Sequence, residues 1–384
     1  MKIIGVETYW TQTPFDMGGR PAVVGGLNWQ TMNTVWLRIR TDAGIDGWGE
    51  AFGHGTAAAT LTVLDTQLAP AILGADARDI AGLRLKLAKA FHIYGRNGPH
   101  LFALSALDIA LWDIAGKAAA LPLWRLLGGS PAGSLSCYAS LLRYGDAGQV
   151  AVACERAAAR GYRDVKLHEV TAPEIQSARD VLGGEAKLMV DVNCPWTVWQ
   201  ALDMARTLEK LDLTWLEEPV WPPGDHEGLS RVRLEGSIPI AAGENAAGLH
   251  DFRAAFEAGA QDIAQPSVTK IGGPSAMVEI AALAKAFGVR LVPHNAYFGA
   301  GYLASLHVNT ALAPDAPFER LFIDLEASPY HELVEAKDGK VTVASGPGLG
   351  RDPDMDVLRR YLVREPTVHA ASAIHETVPG ATRS

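Results

Sequence analysis

Apolar and polar positions change rhythm once along the chain, between about residues 125 and 135. Before that point, "IIGVETYW" (3–10) and "NTVWLRIRTDAGIDGWGEA" (33–51) read as strands, the latter folded back at a tight turn around Asp42–Gly44. "LFALSALDIALWDIAGKAA" (101–119) instead repeats its apolar residues at the spacing of a helix face. Two glycine-rich segments, 15–30 and 52–56, fit neither period and are expected to be loops that fold over a ligand. Residues 1–125 are thus expected to form a small α+β domain.

From about residue 135 the beat becomes short apolar strand, then helix-length segment, repeated. Eight strands are predicted: "LSCYAS", "DVKLHEV", "KLMVDVN", "TWLEEPV", "PIAAGEN", "DIAQPS", "RLVPHN" and "RLFIDLE". "TVWQALDMARTLEKL" and "PSAMVEIAALAKAFG" are examples of the helices between them. Such alternation over roughly 200 residues predicts a closed parallel (β/α) barrel over 126–330. An open doubly wound sheet would normally carry a phosphate-binding glycine turn after its first strand, and that turn is missing. No helix is predicted after strand eight, and 331–384 is expected to return to the first domain and end in a polar tail.

Charged and polar residues collect at the C-terminal ends of these strands, where barrel enzymes build their sites. They are Lys166 and His168, Asp191 and Asn193, Glu217 and Glu218, Glu244, Ser267, His294 and Glu326. Lys166 and His168 are two apart on one strand, so they share a face. Three successive strands ending in Asp191, Glu217 and Glu244 would crowd three carboxylates, which repel unless protonated or neutralised by a cation. Oxygen ligands alone favour Mg²⁺, with Mn²⁺ second, over zinc. A divalent ion between basic walls suits removal of a proton next to a carboxylate.

Composition narrows the partners. The 384 residues carry a net charge of −9 with no basic run, which disfavours nucleic acid and anionic membrane surfaces. Three cysteines without paired spacing, no apolar run near the roughly 18 residues of a membrane span, and a start that lacks a signal-peptide pattern lead to an expected cytoplasmic protein.

As a set, "GIDGWGE" (44–50), "SALDIALWDIAGKAAALPLWRLLGG" (105–129), "DVN", "EEP", "GEN" and "PSVTKIGG" (266–273) resemble the mandelate racemase/muconate lactonizing enzyme branch of the enolase superfamily. Spacings of 26 residues from Asp191 to Glu217 and 27 to Glu244 are similar to that family's metal triad. The resemblance implies a (β/α)7β barrel under an N-terminal α+β capping domain, with Asp191, Glu217 and Glu244 holding Mg²⁺. It also implies a substrate contact at Asn193, a hydrogen bond from Glu326 to the substrate carboxylate, a structural role for Lys270, and a homo-oligomer, from dimer to octamer.

Two positions depart from the family pattern. Many relatives carry a second lysine where His168 stands. Mandelate racemase-like members pair the strand-seven histidine with an aspartate where Ser267 stands, and lactonizing relatives place a lysine there. Serine can orient His294 but cannot stabilise its cation as a carboxylate would. Lys166 is expected to keep neighbouring His168 neutral, as a base needs, although either residue could be the base. Such unequal walls suit directional elimination. The expected activity is a Mg²⁺-dependent sugar-acid dehydratase, with Ser267, His54 and Trp29 as further substrate-side candidates and Arg20 as another capping-loop residue. Racemisation, epimerisation or cycloisomerisation through the same enediolate is the alternative, and an inactive ligand-binding relative a third reading.

Overall fold

The computed structural model describes residues 1–24 and 26–370. The tail predicted to end the chain lies largely outside them, beyond residue 370. Among the described residues, no helix is long and apolar enough to cross a membrane.

The capping sheet is built from Ile3–Asp16, Thr31–Thr41 and Asp46–Ala51, paired antiparallel in that order. Val35, Leu37 and Ile39 are fully buried in one cluster with Ala103, Ala106, Leu107 and Ala110 of the helix Pro99–Ala119. Glycines at 47 and 49 allow this packing. A Cβ on Gly47 would stand 2.2 Å from the Ala110 carbonyl, and one on Gly49 2.0 Å from that of Ala106. The "GWG" pattern is therefore a requirement for sheet and helix to touch backbone to backbone.

The segment 15–30, expected to be loop throughout, holds more regular structure. Phe15 and Asp16 finish the first strand, and Ala22–Val24 pairs with Leu27–Trp29 as a short hairpin. Residues 52–56 do form a turn, as the sequence implied.

Eight barrel strands follow: Ser134–Ser140, Val165–Leu167, Leu188–Asp191, Leu213–Glu217, Ile240–Ala242, Ile263–Ala264, Arg290–Leu291 and Phe318–Leu321. The first seven pair in parallel one after another, and the eighth pairs with the first. A helix lies between each successive pair, giving the (β/α)7β order. Side-chain alternation then sorts the residues. Val165, Leu167, Val190 and Leu216 pack outward against the helices, while Met189 and Trp215 join Tyr138 in the barrel interior.

Strand eight ends earlier than "RLFIDLE" suggested. After Leu321 the chain leaves the barrel, and Asp324–Leu325 pairs antiparallel with Phe15 and Asp16 of the capping domain. Further on, Lys340–Thr342 pairs with barrel strand one rather than with the cap, whereas Thr367–Ala370 does return to the cap's first strand.

The two domains are joined by buried polar contacts. Ser105 Oγ accepts from Gly272 N at 2.8 Å, Asp108 accepts from both Ser275 N and Ser275 Oγ at 2.8 Å, and Trp112 Nε1 donates to Ser275 Oγ at 2.8 Å. Gly273 adopts φ +79, and a Cβ there would lie 2.5 Å from Asp108 Cβ, so the "GGPS" turn needs glycine. On the far side, Glu50 Oε2 accepts the Gly301 N–H at 2.7 Å, tying the last capping strand to the helix Ala300–Leu312 behind barrel strand seven.

Burial raises the Glu50 carboxyl from 4.5 to about 8, with the Gly301 and Gly299 N–H groups opposing only in part. The fold therefore accommodates the protonated acid. Its contribution to stability is full below pH 4.5 and is lost as pH rises through about 8. E50Q is expected to match the native protein near pH 4.5 and to exceed it increasingly as pH approaches 8, read by urea denaturation at each pH. A pH-independent difference would contradict this account.

Candidate active site

Lys166 places a cation on the buried strand Val165–Leu167. It is fully buried, with Nζ 2.7 Å from Glu319, 3.0 Å from Glu217 and 3.6 Å from Asp191. Burial alone would lower its pKa, but Glu217 and Glu319 outweigh that and hold it well above the usual lysine range. Lys166 is an ammonium locked among carboxylates.

Asp191, Glu217 and Glu244 each offer an oxygen, and these atoms lie within 4.8 Å of one another. Asp191 Oδ2 is buried and accepts no hydrogen bond, with Lys166 and His168 standing off at 3.6 and 3.4 Å. A buried carboxylate oxygen left without a partner is costly. An orphaned anionic oxygen, two more carboxylates and no soft ligand together fit a hard divalent cation. The other oxygens are already oriented. Asp191 Oδ1 accepts from Asn193 N and Nδ2 at 2.9 Å each, and Glu217 Oε2 accepts from Trp215 Nε1 at 2.9 Å and Gln265 Nε2 at 2.8 Å. Such partners aim ligands. Desolvation, then Asp191, raises Glu217 to about 7, which is the price of crowding these acids.

His168 and His294 flank the triad. His168 Nδ1 bonds the Leu141 carbonyl, which can only accept, so Nδ1 carries hydrogen and Nε2 is the working nitrogen. That nitrogen is 3.4 Å from Asp191 Oδ2. The expectation that Lys166 keeps this ring neutral needs correcting. Burial lowers the His168 pKa and Lys166 opposes its cation too, but Asp191 prevails and the net shift is upward. A cation shared with Asp191 would compete for that carboxylate's charge and weaken the pull.

His294 is buried, with Nε2 2.7 Å from Glu244 and Nδ1 3.2 Å from Ser267 Oγ. Burial disfavours its cation, yet Glu244 and Glu319 raise its pKa overall. The carboxylate missing at the dyad position thus has a counterpart, Glu244, at the opposite nitrogen.

The remaining candidates are placed unevenly. His54 lies tilted between Trp29 (4.7 Å) and Phe52 (4.8 Å), with Nε2 3.0 Å from Met32 Sδ. Burial, then Lys270 and His294, lowers its pKa to about 3, so it is a neutral imidazole facing the site's charges. Lys270 Nζ bonds Asn245 Oδ1 at 2.8 Å and lies 3.8 Å from Glu244. Arg20 is exposed and meets Gln149 through its main chain. Glu326 is not brought to the cluster. It is exposed, accepts from Tyr361 Oη at 2.9 Å, and is anchored through its own N–H to Pro14.

Glu319 is the strand-eight acid that reaches the site, held by Ser140 Oγ at 2.8 Å and Asn295 N at 3.0 Å. Sequence reasoning missed it because the predicted strand began one residue later. The available signal was an acid inside an apolar strand, following Phe318. Gln265, just past Ile263–Ala264, lay inside the predicted strand "DIAQPS" but was not singled out, being an uncharged residue next to "PS".

Comparison with known proteins agrees with this architecture. Residues 6–128 match the mandelate racemase/muconate lactonizing enzyme N-terminal domain, and 149–357 match the enolase C-terminal domain-like family. The chain is 31% identical over 385 residues to D-galactarolactone cycloisomerase of Agrobacterium fabrum, spanning 95% of this chain and 100% of that protein. It is 32% identical to arabinonate dehydratase of Saccharolobus solfataricus over 85% of this chain and 90% of that one. The crystal structure of a racemase from Streptomyces coelicolor A3(2) with bound magnesium superposes with a TM-score of 0.82 at 30% identity, covering 93% of this chain and 99% of the other. With both domain models matched and the carboxylate triad assembled at the barrel mouth, the chain belongs to the mandelate racemase/muconate lactonizing enzyme family of the enolase superfamily.

Proposed function

We propose that this protein removes the α-proton of a sugar acid and expels the β-oxygen, acting as a Mg²⁺-dependent sugar-acid dehydratase. The observation that carries this reading is the pair of histidines flanking the Asp191–Glu217–Glu244 cluster, with Nε2 of His168 3.4 Å from Asp191 and Nε2 of His294 2.7 Å from Glu244. Asp191, Glu217 and Glu244 would hold Mg²⁺, as a magnesium-bearing relative supports. When bound, the ion supplies fixed positive charge opposite the carboxylate of a carbon acid.

His168 takes the α-proton at Nε2, the nitrogen its bond to Leu141 leaves available. Lys166 is a poor alternative base, since its nitrogen is fully buried and committed to Glu217 and Glu319. It instead keeps a positive charge beside the reacting carboxylate. His294, on the other side of the triad, delivers a proton from Nε2 to the departing β-hydroxyl. The C–O bond breaks, water leaves, and the resulting enol tautomerises to a 2-keto-3-deoxy acid. His54, Trp29 and Asn193 are the substrate-side residues of this reading, with His54 offering an uncharged polar face from the cap.

Cycloisomerisation is the second reading, favoured by the relative whose full length is matched. Chemically it differs only in the leaving oxygen. If that oxygen belongs to a lactone or ether ring, the same elimination opens the ring and nothing is lost.

Incubation with a panel of aldonic and aldaric acids, their lactones and anhydro forms, with Mg²⁺, is expected to yield a 2-keto-3-deoxy acid with loss of one water. The same product type without mass change identifies the cycloisomerase. Cα deuteration without any 2-keto acid would overturn both.

In D₂O, His168→Asn is expected to lose turnover and Cα–H exchange together, by about 10²- to 10⁴-fold. His294→Asn should lose elimination while Cα–H exchange persists. Loss of exchange in both variants would show a different division of labour.

Calorimetric titration with Mg²⁺ is expected to show one site, weakened at least about tenfold in Asp191→Asn. Chelation should abolish turnover and restored Mg²⁺ should recover it. Full activity after exhaustive chelation would eliminate the metal role.

A further inference from the structure

Hydrogen bonds are divided unevenly between the two oxygens of the triad's carboxylates. Glu217 Oε2 accepts from Trp215 Nε1 at 2.9 Å and from Gln265 Nε2 at 2.8 Å. A carboxylate oxygen offers about two lone pairs, so these two donors fill it. Oε1 accepts from Lys166 alone, at 3.0 Å, and keeps a lone pair. Asp191 repeats the division. Its Oδ1 holds the main-chain N–H and the side-chain amide of Asn193 at 2.9 Å each, while Oδ2 accepts nothing. Glu244 is not divided in this way, with His294 Nε2 2.7 Å from Oε2 and Asn245 Nδ2 2.9 Å from Oε1.

The two donors behind Glu217 have little freedom to leave it. Trp215 stands two residues earlier on the strand Leu213–Glu217, so both side chains enter the barrel. Its indole is packed edge-on against Tyr138 with ring centroids 5.9 Å apart, and an indole nitrogen can only donate. Gln265 arrives from strand six, two strands further round, just past Ile263–Ala264. The other end of its amide, Oε1, is buried without a partner. A buried amide with an orphaned carbonyl is costly, and the bond from its NH₂ group to Glu217 is the contact that offsets this. Trp215, Glu217 and Gln265 are all buried, so water cannot replace these bonds.

We infer that Trp215 and Gln265 are positioning residues that restrict Glu217 to a single ligand oxygen, Oε1, and that this restriction makes the site prefer Mg²⁺ to Ca²⁺. The inference rests on the reading of the triad as a Mg²⁺ site. Asn193 imposes the same restriction on Asp191, leaving Oδ2. Mg²⁺ demands a near-octahedral shell at about 2.0–2.1 Å, which single oxygens from separate carboxylates suit. Ca²⁺ takes about six to eight oxygens at roughly 2.3–2.6 Å and readily draws both from one carboxylate. Where Oε2 is filled from behind, Glu217 cannot turn to offer both. Removing either donor frees a lone pair on Oε2 and allows the carboxylate to chelate, which benefits the larger ion.

The test titrates the full chain, stripped by chelation and without substrate, with Mg²⁺ alone and with Ca²⁺ alone in a calorimeter. The native chain is expected to bind Mg²⁺ more tightly than Ca²⁺. In Trp215→Phe and in Gln265→Leu, Mg²⁺ affinity is expected to fall about 10- to 100-fold while Ca²⁺ affinity changes by less than about threefold. Phenylalanine keeps a ring against Tyr138, and leucine removes the orphaned carbonyl together with the donor. Merely structural damage would weaken both ions alike. Equal losses for the two ions in both variants, or loss of both ions together, overturn the inference, as does a native chain that binds Ca²⁺ as tightly as Mg²⁺. If Trp215→Phe does not fold by circular dichroism, Gln265→Leu decides alone. A native chain that binds neither ion defeats the metal reading and this inference with it, whereas native Mg²⁺ binding with an unchanged preference in the variants defeats this inference only.

Discussion

The fold is arranged around an imbalance of charge. Asp191, Glu217 and Glu319 converge on a single buried ammonium, and Glu244 stands close by beside His294. One lysine cannot neutralise this many carboxylates, and the raised Glu217 carboxyl records the strain. A tightly closed barrel is what makes the crowding possible, because inward-facing residues of neighbouring parallel strands are forced into one layer. The same constraint explains why the interior is apolar at Tyr138, Met189 and Trp215 but acidic at the rim.

Sequence exposed the parts of this arrangement that depend on local period. Asp191, Glu217 and Glu244 end successive strands, and inward alternation brings their oxygens within 4.8 Å, as their common position implied. Glu326 and Glu319 show where that logic stops. "RLFIDLE" alternates convincingly and ends in an acid, yet Leu325 pairs with Phe15, more than three hundred positions earlier. Which partner a strand selects is a long-range outcome, and a shift of a few residues exchanges the acid that enters the site. The donors behind Glu217 were hidden for a related reason. Trp215 lies on strand four and Gln265 just past strand six, so only the closure of the barrel brings both to one oxygen.

Electrostatics also redistributes roles that residue types alone would assign differently. A serine at position 267 reads as loss of a dyad, but His294 has a carboxylate, Glu244, at its other nitrogen. Lys166 reads as a base, but Glu217 and Glu319 beside it favour its charged form. His54 reads as a polar capping-loop candidate, but burial and then Lys270 keep it uncharged. In each case the neighbour decides the chemistry.

The strand Thr367–Ala370, laid along residues 5–8 of the first strand, bears on how the molecule tolerates handling. It occupies an edge of the capping sheet that would otherwise present free main-chain donors and acceptors. A shortened C-terminus would bare that edge as a template for pairing between molecules. Self-association in a trimmed version would then report on an uncovered border, and would say nothing about the native assembly.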